Sequence, residues 1–243
     1  MTILCLIITN YNYGKYLHRC VRSCLDQSIP ARDYEIIIVD DCSSDNSVKI
    51  SKDYAAPNIP NIKFIENKYN IGVAGSANKG IKAAKGRFVV RVDADDFVTR
   101  EFSNFLSYYL IEHPETFGVA CDYYFVNELG KKIKPMSSKE DPISCGIMYD
   151  RKKLLKMGIY NKRFKHREEE ELRARLGNKY LIHHLNIPLY RYRMHKSNKT
   201  KQKDYSTRYK DKLEKINKIE DYKFFKQRNK KLIKHVVIII PAR

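Results

Sequence analysis

Short apolar runs alternate with amphipathic stretches along the first hundred residues. Residues 3–8 are apolar without interruption, and 3–9 reads as a strand buried on both faces. Leu17, Val21, Cys24 and Leu25 then recur at helical spacing, and Pro30 follows the stop. Tyr34-Glu35-Ile36-Ile37-Ile38-Val39 reads as a second strand, and residues 40–47 as a polar turn opening a short helix. Residues 62–65 predict a third strand, 72–84 a helix of small residues closed by Gly86, and Phe88-Val89-Val90-Arg91-Val92 a fourth strand. This β-α-β-α order predicts a doubly wound, mainly parallel sheet, whose ligands sit beyond the carboxyl ends of the strands. Polar clusters fall at those ends: Thr9-Asn10-Tyr11-Asn12, Asp40-Asp41, residues 67–72 and Asp93-Ala94-Asp95-Asp96.

The pattern changes near residue 100. Helices are expected over 102–111, 151–157 and 168–176, and strands over 119–126, 180–183 and 189–193. Gly130 marks a turn, and 144–149 is a glycine-containing segment ahead of a basic helix. Residues 1–100 would bind the ligand and 101–204 would shape the other side of the site. No linker-like stretch divides them, so they form one domain, with 205–243 as a basic helical extension.

The 243 residues and 43% apolar content suffice for one α/β core. No apolar run reaches the roughly 18–20 residues of a membrane span. The opening run lacks a basic flank and a cleavage site, so it reads as a strand and not a secretion signal. Six cysteines without a CxxC pair read as free, buried thiols in a reducing cytoplasm. The net charge is +19; residues 196–234 hold 15 Lys/Arg against five Asp/Glu. Such a segment attracts polyanions, or is simply a solvated helix face.

Three carboxylates after an apolar strand repel one another unless a cation or hydrogen bonds intervene. On an extended segment Asp93 and Asp95 share a face and can converge on Mg²⁺ or Mn²⁺. Alone, Asp-x-Asp reads better as an acidic helix cap. One of Asp40 and Asp41 could accept from a base N–H, or both could serve the turn. Asn70-Ile71-Gly72 lets a backbone approach a nucleotide, or a helix approach the sheet. Glu168-Glu169-Glu170-Glu171 suits a helix N-terminus, yet four adjacent acids exceed what capping needs. His195 follows a strand in a polar stretch and could ligate a metal or touch phosphate.

Taken in order over about residues 2–200, these segments resemble glycosyltransferase family 2, inverting enzymes of GT-A fold. The resemblance rests on Thr9-Asn10-Tyr11-Asn12, Tyr16-Leu17, Ser23-Cys24-Leu25-Asp26-Gln27-Ser28 and Glu35-Ile36-Ile37-Ile38-Val39-Asp40-Asp41. It continues through Asn70-Ile71-Gly72, Ala77-Asn78-Lys79-Gly80, Asp93-Ala94-Asp95-Asp96, Gly146-Ile147-Met148, Glu168-Glu169 and Tyr192-Arg193-Met194-His195. It implies a Rossmann-like, mixed and mainly parallel sheet flanked by helices. It also implies a nucleotide-sugar donor, UDP by default, and a saccharide or lipid-linked saccharide acceptor in bacterial surface-polysaccharide or lipooligosaccharide synthesis. Thr9, Tyr11 and Asp41 would hold the base, with Asn70 beside them. Asp93 and Asp95 would meet the metal and diphosphate, with His195 near them. Glu169 would be the catalytic base, where the family more often has Asp after a Glu; that departure leaves Glu168 or Glu170 as alternatives for the role.

Residues 235–243 resemble the opening strand of sugar cytidylyltransferases, and equally a locally docked strand. Residues 205–234 carry an apolar stripe among lysines and are expected to touch the inner membrane surface or to pack on the domain. A sugar nucleotidyltransferase would need a glycine-rich loop after the first strand, where Thr9-Asn10-Tyr11-Asn12-Tyr13 stands instead. A nucleic-acid binder is motivated by charge alone, and the acid-rich body argues against it.

Overall fold

The computed structural model describes residues 2–56, 61–164, 167–177, 181–196 and 198. The expectations for 205–243 therefore lie outside the described residues. The chain runs β1 (Leu4–Asn10), α1 (Gly14–Leu25), β2 (Tyr34–Asp40), α2 (Ser47–Tyr54), β3 (Ile62–Glu66), α3 (Gly72–Ala83) and β4 (Phe88–Asp93). It continues with β5 (Phe97–Val98), α4 (Phe102–Glu112), β6 (Gly118–Val126), β7 (Lys132–Met136), β8 (Ile147–Asp150), α5 (Arg151–Lys156), α6 (Glu168–Leu176) and β9 (Ile182–Arg193).

The sheet order is β3-β2-β1-β4-β8-β6-β9-β5, with β7 paired to β6. The first four strands are parallel, as the sequence pattern predicts. Strand β8 then pairs antiparallel with both β4 and β6. The mixed part of the sheet thus begins where the chain first crosses to its second half.

Side chains of β1 alternate between two cores. Leu4, Leu6 and Ile8 pack with Leu17, Val21 and Phe102 on one face; Cys5 and Ile7 pack with Ala77 and Ile81 on the other. All five strand residues are essentially inaccessible. Each such Leu or Ile contributes about 1.5–3 kcal/mol of burial. At Gly86 the chain crosses Leu4 so closely that a Cβ would lie 2.6 Å from the Leu4 carbonyl carbon. Only glycine allows that approach between α3 and β4.

Two expectations change. The strands predicted at 180–183 and 189–193 are one strand, β9, which runs parallel to β6. It passes Pro188 through a register shift, Cys121 facing Leu185 while Asp122 faces Pro188. The ladder tolerates proline there because the bulge leaves no donor owed at that position. The second change is Cys42, which is exposed, while the other five thiols are buried; all six are free. No described helix is long and apolar enough to cross a membrane.

Candidate active site

The carboxyl ends of β1, β2 and β4 open onto a cavity of about 390 Å³, within the usual range for small-ligand sites. Thr9, Tyr11, Asp41, Asp93 and Asp95 all line it, together with Arg91, Ser144, Cys145, Glu168, Glu170 and Tyr192. Five of the eight sequence-predicted site residues thus meet in one place. Asn70, Glu169 and His195 are not on its wall among the described residues.

The end of the cavity at β1 and β2 is built from turns. Asp40 is fully buried and accepts from Asn10 Nδ2 at 2.6 Å, and from the Ser43 N–H and hydroxyl, each at 2.8 Å. That ties it to its own turn. Asp41 faces the cavity and accepts from Asn67 Nδ2 at 2.9 Å and from the Ile71 and Gly72 N–H groups, each at 2.8 Å. It therefore holds the start of α3, where the helix dipole favours an anion. Asn70 is exposed and accepts from the Gly72 N–H at 3.2 Å. Its short side chain serves the local turn, so Val73 and Ser76 line the cavity in its stead. Tyr11 is 39% exposed, leaving a ring face open to a planar ligand.

The acidic motif is not the extended segment that alternation implied. Strand β4 ends at Asp93, and the chain turns at once, the Asp96 N–H donating to the Asp93 carbonyl at 2.9 Å. Asp93 accepts from Thr9 Oγ1 at 3.1 Å. Asp95 Oδ2 lies 2.9 Å from His195 Nε2. Asp96 accepts from Tyr190 Oη at 2.8 Å and from the Arg193 N–H at 2.7 Å. Burial raises the Asp95 carboxyl, partly offset by the His195 hydrogen bond and reinforced by Asp93. Burial, then Asp95 and Asp93, push Asp96 well above the carboxylate range. Such mutual repulsion is what a bound cation relieves. Ligand atoms of Asp93, Asp96 and Cys145 also lie within 4.8 Å of one another. The donor set thus fits a divalent ion. His195 is 3% exposed behind Asp95, with the Tyr16 ring 5.0 Å away, and meets the motif through Asp95.

The two halves are joined by Arg91, a charge in the middle of an apolar strand. Its side chain is 5% exposed. Its Nη1 donates to Glu168 Oε1 at 2.8 Å, and its Nε lies 3.0 Å from Asp93 Oδ1. The Nε–H makes no aligned hydrogen bond, so the second contact is Coulombic. On the same helical turn, Glu169 Oε1 accepts from Tyr149 Oη at 2.5 Å and from Arg173 Nε at 3.2 Å. Its Oε2 is buried with no hydrogen-bond partner among the described residues. Glu170 pairs with Arg167 at 2.8 Å, and Glu171 with Arg175 at 2.7 Å. Cys145, Asp96 and Arg91 were missed as site residues. Cys145 carries no local signal, whereas Arg91 interrupting Val90 and Val92 does.

A family model described as Glycosyl transferase family 2 matches residues 5–236. This chain belongs to glycosyl transferase family 2. Membership decides against the nucleotidyltransferase and nucleic-acid-binding alternatives. The family 2 chain is 33% identical over 109 residues to the poly(ribitol-phosphate) beta-N-acetylglucosaminyltransferase TarS of Staphylococcus aureus (strain Mu50 / ATCC 700699). That stretch is 44% of this chain but 19% of that relative, so only a small part of it is spanned. The S. aureus TarS 1-349 structure in complex with UDP-GlcNAc superposes with a TM-score of 0.71 at 22% identity, covering 83% of this chain and 61% of that one. The mannosyltransferase PcManGT from Pyrobaculum calidifontis, in complex with GDP-Man and Mn2+, gives 0.65 at 16% identity, covering 80% and 58%. At these identities the likeness is one of fold, and the fold is the GT-A arrangement of a mixed sheet flanked by helices.

Proposed function

We propose that this chain transfers a sugar, with inversion, from a nucleoside diphosphate donor to an acceptor hydroxyl. The observation that carries the reading is the gathering of Thr9, Tyr11, Asp41, Asp93 and Asp95 around one cavity. Tyr11 would stack on the base and Asp41 accept from it. UDP is the default nucleotide, supported by the UDP-GlcNAc complex of TarS, and the acceptor is a saccharide or lipid-linked saccharide of a bacterial surface polymer.

Asp95, Asp93 and Asp96 would hold a divalent ion, Mn²⁺ or Mg²⁺, which when bound neutralises charge on the leaving diphosphate. His195 fixes the Asp95 carboxylate by its 2.9 Å hydrogen bond. The base comes from the first turn of α6. Glu169 has one oxygen anchored by Tyr149 and Arg173 and the other bare, which suits a positioned base. It would take the acceptor proton as that oxygen attacks the anomeric carbon and the diphosphate leaves from the opposite face. One displacement needs no enzyme nucleophile, so configuration inverts. A second reading gives the role to Glu170, which lines the cavity where Glu169 does not.

The deciding experiment is calorimetric titration of UDP with and without Mn²⁺. Mn²⁺ should tighten binding to the parent chain and add nothing to Asp95→Ala. Equal affinity with and without metal in both proteins would overturn the assignment. Contact of residues 205–234 with an anionic membrane face is a further part of the reading and stands on the +10 charge of 196–234.

A further inference from the structure

Tyr192 on the cavity wall begins a row of side chains that continues outward along the sheet. Strands β7, β6 and β9 pair so that Lys134 faces Phe125 and Phe125 faces Tyr192. Successive residues on paired strands share a face, so Tyr192, which lines the cavity, is continued outward by Phe125 and then Lys134. The Phe125 and Tyr192 rings stand edge to face with centroids 5.6 Å apart. Both are partly exposed, and buried Tyr123 supports them from below, 5.5 Å from Phe125 and 6.2 Å from Tyr192. Lys134 Nζ sits 5.8 Å from the Phe125 centroid, exposed, and pairs with no carboxylate among the described residues. Ile143 closes the neighbouring wall of the cavity.

This platform is on the far side of the acidic motif from the end at β1 and β2. In the sheet order, β2 with Asp41 lies on one side of β4, and β6 with Phe125 on the other. A donor stretched from Tyr11 and Asp41 to Asp93 leaves the platform for the second substrate. An aromatic wall suits the C–H face of a sugar ring, and an exposed ammonium beside it suits a phosphate.

Resting on the transferase reading, we propose that Tyr192, Phe125 and Lys134 form an acceptor subsite for a phosphorylated saccharide. The sugar ring lies against Tyr192 and Phe125, and its phosphate is held by Lys134. The cation–π contact keeps the ammonium poised over the ring before the ligand arrives.

The test uses the full chain with the donor end filled by saturating UDP and Mn²⁺. Glucose 1-phosphate and glucose are then compared as probes by saturation-transfer NMR. The ring protons of glucose 1-phosphate should saturate, and it should bind more tightly than glucose. Phe125→Leu, which keeps apolar volume without the ring, and Lys134→Gln should each weaken it by about fivefold, the size of one exposed contact. Lys134→Gln should also erase the preference over glucose. Because Lys134 is exposed, that variant decides the matter even if Phe125→Leu fails to fold. Equal binding of the two probes to the parent chain, or an unchanged preference in Lys134→Gln, would overturn the subsite. A parallel UDP titration separates the two levels: absent UDP binding fails the transferase reading itself, while UDP binding without a sugar signal fails the subsite alone.

Discussion

Arg91→Met should be among the most damaging single changes in this chain, although it removes no apolar surface. The guanidinium is 5% exposed and is the partner of Glu168, whose side chain is also 5% exposed. Methionine fills similar space but leaves the Glu168 carboxylate buried and unpaired. Asp93, 29% exposed at the side chain, can recover solvent and adds less. Removing one member of a buried pair costs about 3–5 kcal/mol, a large share of an ordinary folding stability. The loss should appear as a fall in the urea midpoint with an unchanged slope.

Removing both partners should cost less than removing one. In Arg91→Met/Glu168→Leu no buried charge is orphaned, and apolar replacement of a whole buried pair is often neutral. The double-mutant cycle should therefore give a coupling of about 2–3 kcal/mol. A single Arg91→Met variant within about 1 kcal/mol of the parent, or a double variant as unstable as the sum of its parts, would refute the claim that this pair is desolvated.

Three other outcomes are expected. In the Gln series, Glu169→Gln should lower turnover by about 10²–10⁴-fold with UDP affinity intact; loss confined to Glu170→Gln instead would transfer the base to the cavity-lining neighbour. Gly86→Ala should destabilise by about 1–3 kcal/mol in chemical denaturation, because its Cβ would meet the Leu4 backbone, and a neutral result would contradict the close approach. His183 is held below its usual 6.5 by burial and then by His113. The unfolded chain therefore takes up that proton first, and this contribution to stability is full above pH 6.5 and lost as pH falls toward the lower folded value. An NMR titration placing His183 at or above 6.5 would refute it.

The parallel half was legible because each strand buried on both faces is a continuous apolar run, and each run ends in polar residues at the ligand side. The β6–β9 pairing was not, because strands about 60 residues apart in sequence leave no local mark of which partner or direction they choose. β5 is two residues long and has no period to detect. The turn after Asp93 was misread as extended for a similar reason: alternation describes a strand only while the strand lasts, and β4 stops at the first carboxylate.

The four glutamates are a different case, since more could have been read than was. Leu172 and Leu176 are buried at i, i+4 spacing, and one turn earlier the same stripe passes through Glu168 and Glu169. Those two must point inward if the helix packs at all, and they are 4% and 3% exposed, while Glu170 turns toward the open side. Two inward carboxylates require partners from the sheet. Only a strand with a charge out of place could supply one, and Phe88-Val89-Val90-Arg91-Val92 contains such a charge. Arg91 in a strand buried on both faces demands an acid as strongly as Glu168 demands a base. Each is an anomaly of its own element, and matching the two joins α6 to β4 from the sequence alone. It also puts the first turn of α6 beside Asp93, the juxtaposition on which the proposed transfer from a diphosphate to a hydroxyl rests.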